Sequence, residues 1–76
     1  MTIRNFTFSP SPVKAGSAVS VHNNDAVSHT VTADDGAFNL TVKGGSSATF
    51  TAPAAAGTYK FHCNIHSSMH ATLTVN

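Results

Sequence analysis

Seventy-six residues provide one domain with a small core, and four Lys or Arg set against three Asp leave the chain almost neutral. The scattered cations Arg4, Lys14, Lys43 and Lys60 cannot track a run of phosphates, which excludes nucleic acid as a partner, and no apolar run is long enough for a membrane span. A core of this size usually needs a disulfide, a metal or an oligomeric partner; the single cysteine, Cys63, rules out an internal disulfide and leaves a metal as the natural candidate.

Thr, Val, Ser and Gly dominate, Leu occurs only at positions 40 and 73, and no long 3.6-residue apolar stripe can be traced, so the chain is expected to be mostly strand. Residues 2 to 8 read as a first strand, broken by Ser9-Pro10-Ser11-Pro12 because proline cannot donate to a ladder. A turn at Ala15-Gly16 leads to residues 17 to 23, with Val19 and Val21 on one face and Ser20 and His22 on the other; Asn23-Asn24-Asp25 closes it with turn chemistry. His29, Val31 and Ala33 share a face of the next strand, which ends at Asp34-Asp35-Gly36. A weaker strand follows near residues 38 to 42, then Gly44-Gly45, then a strand over 46 to 51 that offers Ala48 and Phe50 to the core.

Three alanines between Pro53 and Gly57 are too few to nucleate a helix, so this segment reads as a loop. Over residues 58 to 63, Tyr59, Phe61 and Cys63 point inward and Lys60 and His62 outward, and Ala71, Leu73 and Val75 are in phase on a last strand over 70 to 76. Short alternating segments between turn clusters, with no internal repeat, predict one all-β domain over residues 1–76: a two-sheet Greek-key sandwich of about seven strands.

Five histidines in so short a chain, beside only seven charged residues, are the compositional oddity. The informative stretch is Cys63-Asn64-Ile65-His66-Ser67-Ser68-Met69, which sets a thiolate, an imidazole and a thioether at three-residue intervals after a buried strand. Soft sulfur suits Cu(I), imidazole suits both copper oxidation states, and two His and a Cys with a weak axial Met form the blue-copper arrangement. The missing imidazole falls to His29, which opens an inward-facing strand directly after a loop. A lone inward Cys is by itself more often a small buried hydrophobe; His66 and Met69 in the same loop shift the balance. A structural zinc site would rarely use Met.

Other chemistries fit less well. A trinuclear copper cluster needs paired His-x-His motifs, whereas Asn64 follows Cys63 and no such pair occurs. A cysteine nucleophile with a histidine base is the general enzyme alternative, but it leaves Met69 without a role and has no motif for an oxyanion site. The chain is therefore not expected to be an enzyme. His22 and His62 lie on outward strand phases and read as solvated; His70 could cap its strand, meet a partner or help form a second, weak surface metal site.

The chain resembles a plastocyanin- or amicyanin-like cupredoxin over nearly its whole length. The resemblance is carried by Ile3 with Asn5-Phe6-Thr7-Phe8-Ser9-Pro10, by Val13-Lys14-Ala15-Gly16, and by Asn23-Asn24-Asp25 leading to Ser28-His29-Thr30-Val31. It is strongest in Gly57-Thr58-Tyr59-Lys60-Phe61-His62-Cys63, the loop that follows, and Thr72-Leu73-Thr74-Val75. Two residues between His66 and Met69 resemble the short amicyanin-type loop. Val21 stands where many relatives carry tryptophan, Ile65 and Ser28 where many carry proline, and Ser28 is not the glycine that supplies a fifth contact in azurin-like sites, so four ligands are expected.

The resemblance implies one copper ion cycling between Cu(II) and Cu(I), one-electron shuttling between redox partners, and an extracytoplasmic monomer. The partners would dock near His66, whose edge serves as the electron portal inside an apolar rim for which Ile65 and Phe38 are the candidates. It also implies that Asn23 ties the two ligand-bearing loops together and that the Thr30 N–H bonds the Cys63 sulfur. The competing reading is a copper storage or delivery module, or a domain cut from a larger extracytoplasmic copper protein, with Met1 an added start.

Overall fold

A computed structural model describes residues 1–76. Eight strands run in chain order: β1 (Thr2–Arg4), β2 (Thr7–Ser9), β3 (Ala18–Asn23), β4 (His29–Ala33), β5 (Asn39–Val42), β6 (Ser47–Thr51), β7 (Gly57–His62) and β8 (His70–Val75). They form two four-stranded sheets, ordered β2-β1-β3-β6 and β5-β4-β7-β8. All pairings within the sheets are antiparallel except β1 with β3. This is the expected two-sheet sandwich, and the alternation read from the sequence is what closes it. Val19 and Val21 of one sheet and Val31, Phe61, Leu73 and Val75 of the other are all buried in one core with Ile3 and Phe8.

The eighth strand arises because residues 2 to 8 are not continuous. The chain reverses at Asn5-Phe6, pairing Ile3 with Phe8 and Arg4 with Thr7. Both turn residues have positive φ, 52° and 59°, as a two-residue type I′ hairpin requires. Asn tolerates that region and Phe adopts it only at a cost, which is why alternation through Phe6 reads as a strand. The other boundaries lie within a residue or so of expectation, and residues 53 to 56 are a loop.

Phe38 is not a surface residue. It is buried at the end of the sandwich remote from His29, stacked on Phe50 with ring centroids 4.8 Å apart, so it belongs to the core and not to an apolar rim around His66. The outer edge of β8 is covered by the segment around Val13, which donates to Thr74 O at 3.0 Å and accepts from Asn76 N at 2.8 Å, so this edge is not left free to pair with another chain. The arrangement leaves four connections at one end of the sandwich: the 5–6 turn, residues 24–28, residues 43–46 and residues 63–69.

Candidate metal centre

Two of those connections bring chemistry together. His29, the first residue of β4, is fully buried because the alternation of that strand aims it between the sheets. Cys63 follows β7 and Met69 precedes β8, and they are 1% and 2% exposed. Backbone bonds from Cys63 N to Met69 O (3.1 Å) and from Met69 N to His66 O (3.0 Å) fold the intervening loop back on itself. His66 is half-buried on that loop.

The Nδ1 atoms of His29 and His66 lie 3.2 Å apart, and Cys63 Sγ is 3.9 Å from the first and 3.7 Å from the second. Those three lengths define a circle whose centre is about 2.1 Å from every corner, within the roughly 2.0–2.3 Å that imidazole nitrogen and thiolate sulfur adopt around a first-row ion such as zinc. Two ring nitrogens and a sulfur brought this close, with a buried thioether on the same loop, are the donor set of blue copper rather than of a closed zinc site. The cluster His29, Cys63, His66 and Met69 is suited to binding one copper ion.

Hydrogen bonds prepare two of the donors, His29 and Cys63. His29 Nε2 lies 2.8 Å from Asp25 Oδ2, so the proton belongs on Nε2 and the Nδ1 lone pair faces the cluster. The same carboxylate accepts from Asn5 N at 2.7 Å and Phe6 N at 2.9 Å. The Phe6 N–H draws the Asp25 carboxyl below its usual range; partial burial opposes the shift, and the His29 ring and the Asn5 N–H add to it.

At Cys63, burial pushes the thiol up. The Thr30 N–H, 3.3 Å from Sγ, leads the hydrogen bonds that outweigh burial, followed by those of His66, the His29 ring and Ile65, and the net result is a pKa of about 6. The thiolate, the form that binds metal, is thus accessible near neutral pH.

Thr30 donates to the sulfur as expected and does more. Its Oγ1 accepts from Asn64 N at 2.8 Å, which, with the bond to sulfur, ties the strand of His29 to the loop after Cys63. Asn23 does not span the two loops. Buried at the end of β3, it donates to Val27 O (2.8 Å) and Val42 O (3.1 Å) and accepts from Asp25 N (2.9 Å), shaping only the connection that carries Asp25 and His29.

Asp25 and Phe6 are the participants that sequence reasoning did not single out. The Phe6 ring stands edge-on to both imidazoles, with centroids 5.1 Å from His29 and 4.7 Å from His66, while remaining 47% exposed. Ile65, 55% exposed, is the other large apolar side chain beside His66. An aspartate four residues ahead of a histidine is a faint signal, and only the approach of the 5–6 turn gives it meaning.

Comparison with known proteins agrees with this geometry. A family profile described as a cupredoxin-like domain matches residues 1–75. Among solved structures, a reduced Cu(I) form of an amicyanin variant at pH 4 superposes with a TM-score of 0.81 at 26% identity, covering 99% of this chain and 78% of that one. Two further reduced amicyanin variants each give a TM-score of 0.80 at 25% identity with the same coverage. No match is found among curated protein sequences. With a sandwich of this topology, a donor cluster suited to copper at its end and a family match over all but the last residue, the chain belongs to the cupredoxin-like family.

Proposed function

We propose that this protein is a blue-copper carrier that shuttles single electrons between redox partners, with His29, Cys63 and His66 as the trigonal ligands and Met69 as the weak axial one. The observation that carries the reading is the convergence of two Nδ1 atoms and Sγ on a common point at metal-bond distance, with His29 held by Asp25 and the Cys63 sulfur by the Thr30 N–H. When bound, copper supplies a one-electron couple between Cu(II) and Cu(I). The residues supply rigidity: β4 fixes His29, Asp25 fixes its ring, Thr30 bonds the sulfur, and the backbone bonds of the 63–69 loop hold Met69. Donors held this way change little between oxidation states, which favours electron transfer over storage or delivery.

The half-buried imidazole of His66 is the natural exit, with Phe6 and Ile65 as the apolar rim against which a redox partner docks. An extracytoplasmic setting accords with the amicyanin likeness. The test is to add one equivalent of Cu(II) to the purified protein and record visible and paramagnetic resonance spectra. An intense charge-transfer band with a narrow copper splitting is expected, and it should vanish in Cys63→Ala. An ordinary weak d–d spectrum, or colour that survives loss of Cys63, would refute the ligand assignment. Slow self-exchange in a blue protein would turn the reading to storage or delivery.

A further inference from the structure

On the outer face of the second sheet, three more potential ligands that the copper cluster does not use lie on neighbouring strands or just beyond them. His62 of β7 and His70 of β8 are directly opposite each other. The neighbouring pair, Cys63 and Met69, is joined by the backbone bond from Cys63 N to Met69 O, so 62 and 70 form a pair without mutual hydrogen bonds, where side chains lie closest, with Cβ atoms about 4.5–5.5 Å apart. Asp34, just beyond β4, reaches across with its Oδ1 2.5 Å from His62 Nδ1, and it lines a surface depression of about 250 Å³ together with His70, Lys60 and Thr72. The Asp34 carboxylate and the His70 ring therefore border one small hollow, and His62 adjoins both, bonded to Asp34 and paired across the strands with His70.

His62 is also held as a metal-binding histidine is held. Its Nε2 lies 2.9 Å from Asn64 Oδ1, Asn64 Nδ2 donates to Thr32 Oγ1 at 3.1 Å, and Thr32 Oγ1 donates to Asn39 Oδ1 at 2.9 Å. A ring whose far nitrogen donates to a fixed oxygen keeps its orientation and presents the near nitrogen to an ion. The near nitrogen here is the one facing Asp34.

We propose that Asp34, His62 and His70 form a second, surface metal site for a borderline divalent ion, with Cu(II) the tightest binder by the usual order of the first-row metals. The ion replaces the proton shared by Asp34 and His62 Nδ1, and the exposed ring of His70 turns inward to complete the set. Lys60, on a flexible stem, is the one cation that must swing aside.

The experiment starts from protein carrying one equivalent of copper and adds a second equivalent of Cu(II), followed by paramagnetic resonance. A new tetragonal signal with nitrogen splitting is expected, with the first spectrum unchanged. His70→Ala should weaken this second binding about tenfold or more, and Asn64→Ala should weaken it by about 10- to 100-fold through the lost ring partner. The spectrum of the first equivalent serves as the folding control for His70→Ala, and far-UV circular dichroism for Asn64→Ala. Absence of a nitrogen-coordinated second signal, or equal binding in His70→Ala, overturns the proposal. A protein whose first equivalent is not blue, yet which loses the nitrogen-coordinated signal with His70, would refute the blue-copper reading and uphold this one.

Discussion

Both carboxylate oxygens of Asp25 have work beside the donor cluster: Oδ1 accepts from Asn5 N, and Oδ2 accepts from Phe6 N and from the His29 ring. One side chain therefore fixes both the tautomer of a buried donor and the turn that sets an aromatic ring over it. Asp25→Ala is expected to lower copper affinity about 10- to 100-fold, the usual cost of losing a ring partner of a ligating histidine, and to lower the melting temperature of the apo-protein as well, because two backbone N–H groups lose their acceptor; competitive chelator titration and thermal melts measure the two effects. An affinity within a factor of two of wild type would mean that His29 is oriented by strand packing alone. Met69, in the axial place proposed for it, would act differently, as a weak donor that favours Cu(II). Met69→Leu should keep the colour and raise the reduction potential, and cyclic voltammetry that finds no change would remove Met69 from the axial position. The grouping of His29, Cys63, His66 and Met69 into one cluster was legible in the sequence because donor character belongs to the side chain and loop spacing announces it. Asp25 and Phe6 were not, because their roles exist only once β1 and β2 have folded against the 24–28 connection.

Elements were legible wherever alternation was unbroken: β4 runs over the expected residues, and β3, β5, β6, β7 and β8 differ from expectation only at their ends. The reading failed at the 5–6 turn, where a bulky residue sits at φ 59° at a cost of about 1–2 kcal/mol and is held there by a carboxylate 19 residues away in sequence. The β5–β6 connection shows the same dependence of one element on another. A Cβ at Gly44 would lie 2.2 Å from Ala26 O and 2.4 Å from Ala26 C, so the two connections touch backbone to backbone and only glycine fits. Gly44→Ala must displace the segment that holds Asp25. Forcing atoms into such a contact costs typically about 1–3 kcal/mol, or roughly 4–8 °C in melting temperature per kcal/mol for a domain of this size. The same variant should bind copper more weakly, although residue 44 touches no ligand, because Ala26 adjoins Asp25. A variant with wild-type melting and affinity would show that the 24–28 connection shifts without consequence for His29.

At the scale of the molecule, the core is small, 15 buried hydrophobic side chains that include Cys63 and Met69, so part of what packs the sandwich is also part of the metal cluster. No buried side-chain polar atom lacks a partner, which leaves the apo-fold without an internal polar defect, and the donors stand in place through strand packing and hydrogen bonds. The metal then acts as the staple that the single cysteine cannot provide. A ligand that binds only the folded chain stabilises it by RT ln(1 + [L]/Kd), about 4 kcal/mol at a thousandfold excess over Kd. For a domain of this length that corresponds to a rise of roughly 15–30 °C in melting temperature, reduced by whatever copper the unfolded chain retains through its cysteine and histidines. Calorimetry of the apo- and copper-loaded protein at several copper concentrations should therefore show a melting temperature that climbs with the logarithm of free copper and keeps climbing beyond one equivalent. Cys63→Ser, which keeps the size of the side chain and loses the thiolate, should flatten that climb. Identical melts with and without copper would mean that the ion binds folded and unfolded chain alike, and that packing alone closes this end of the sandwich.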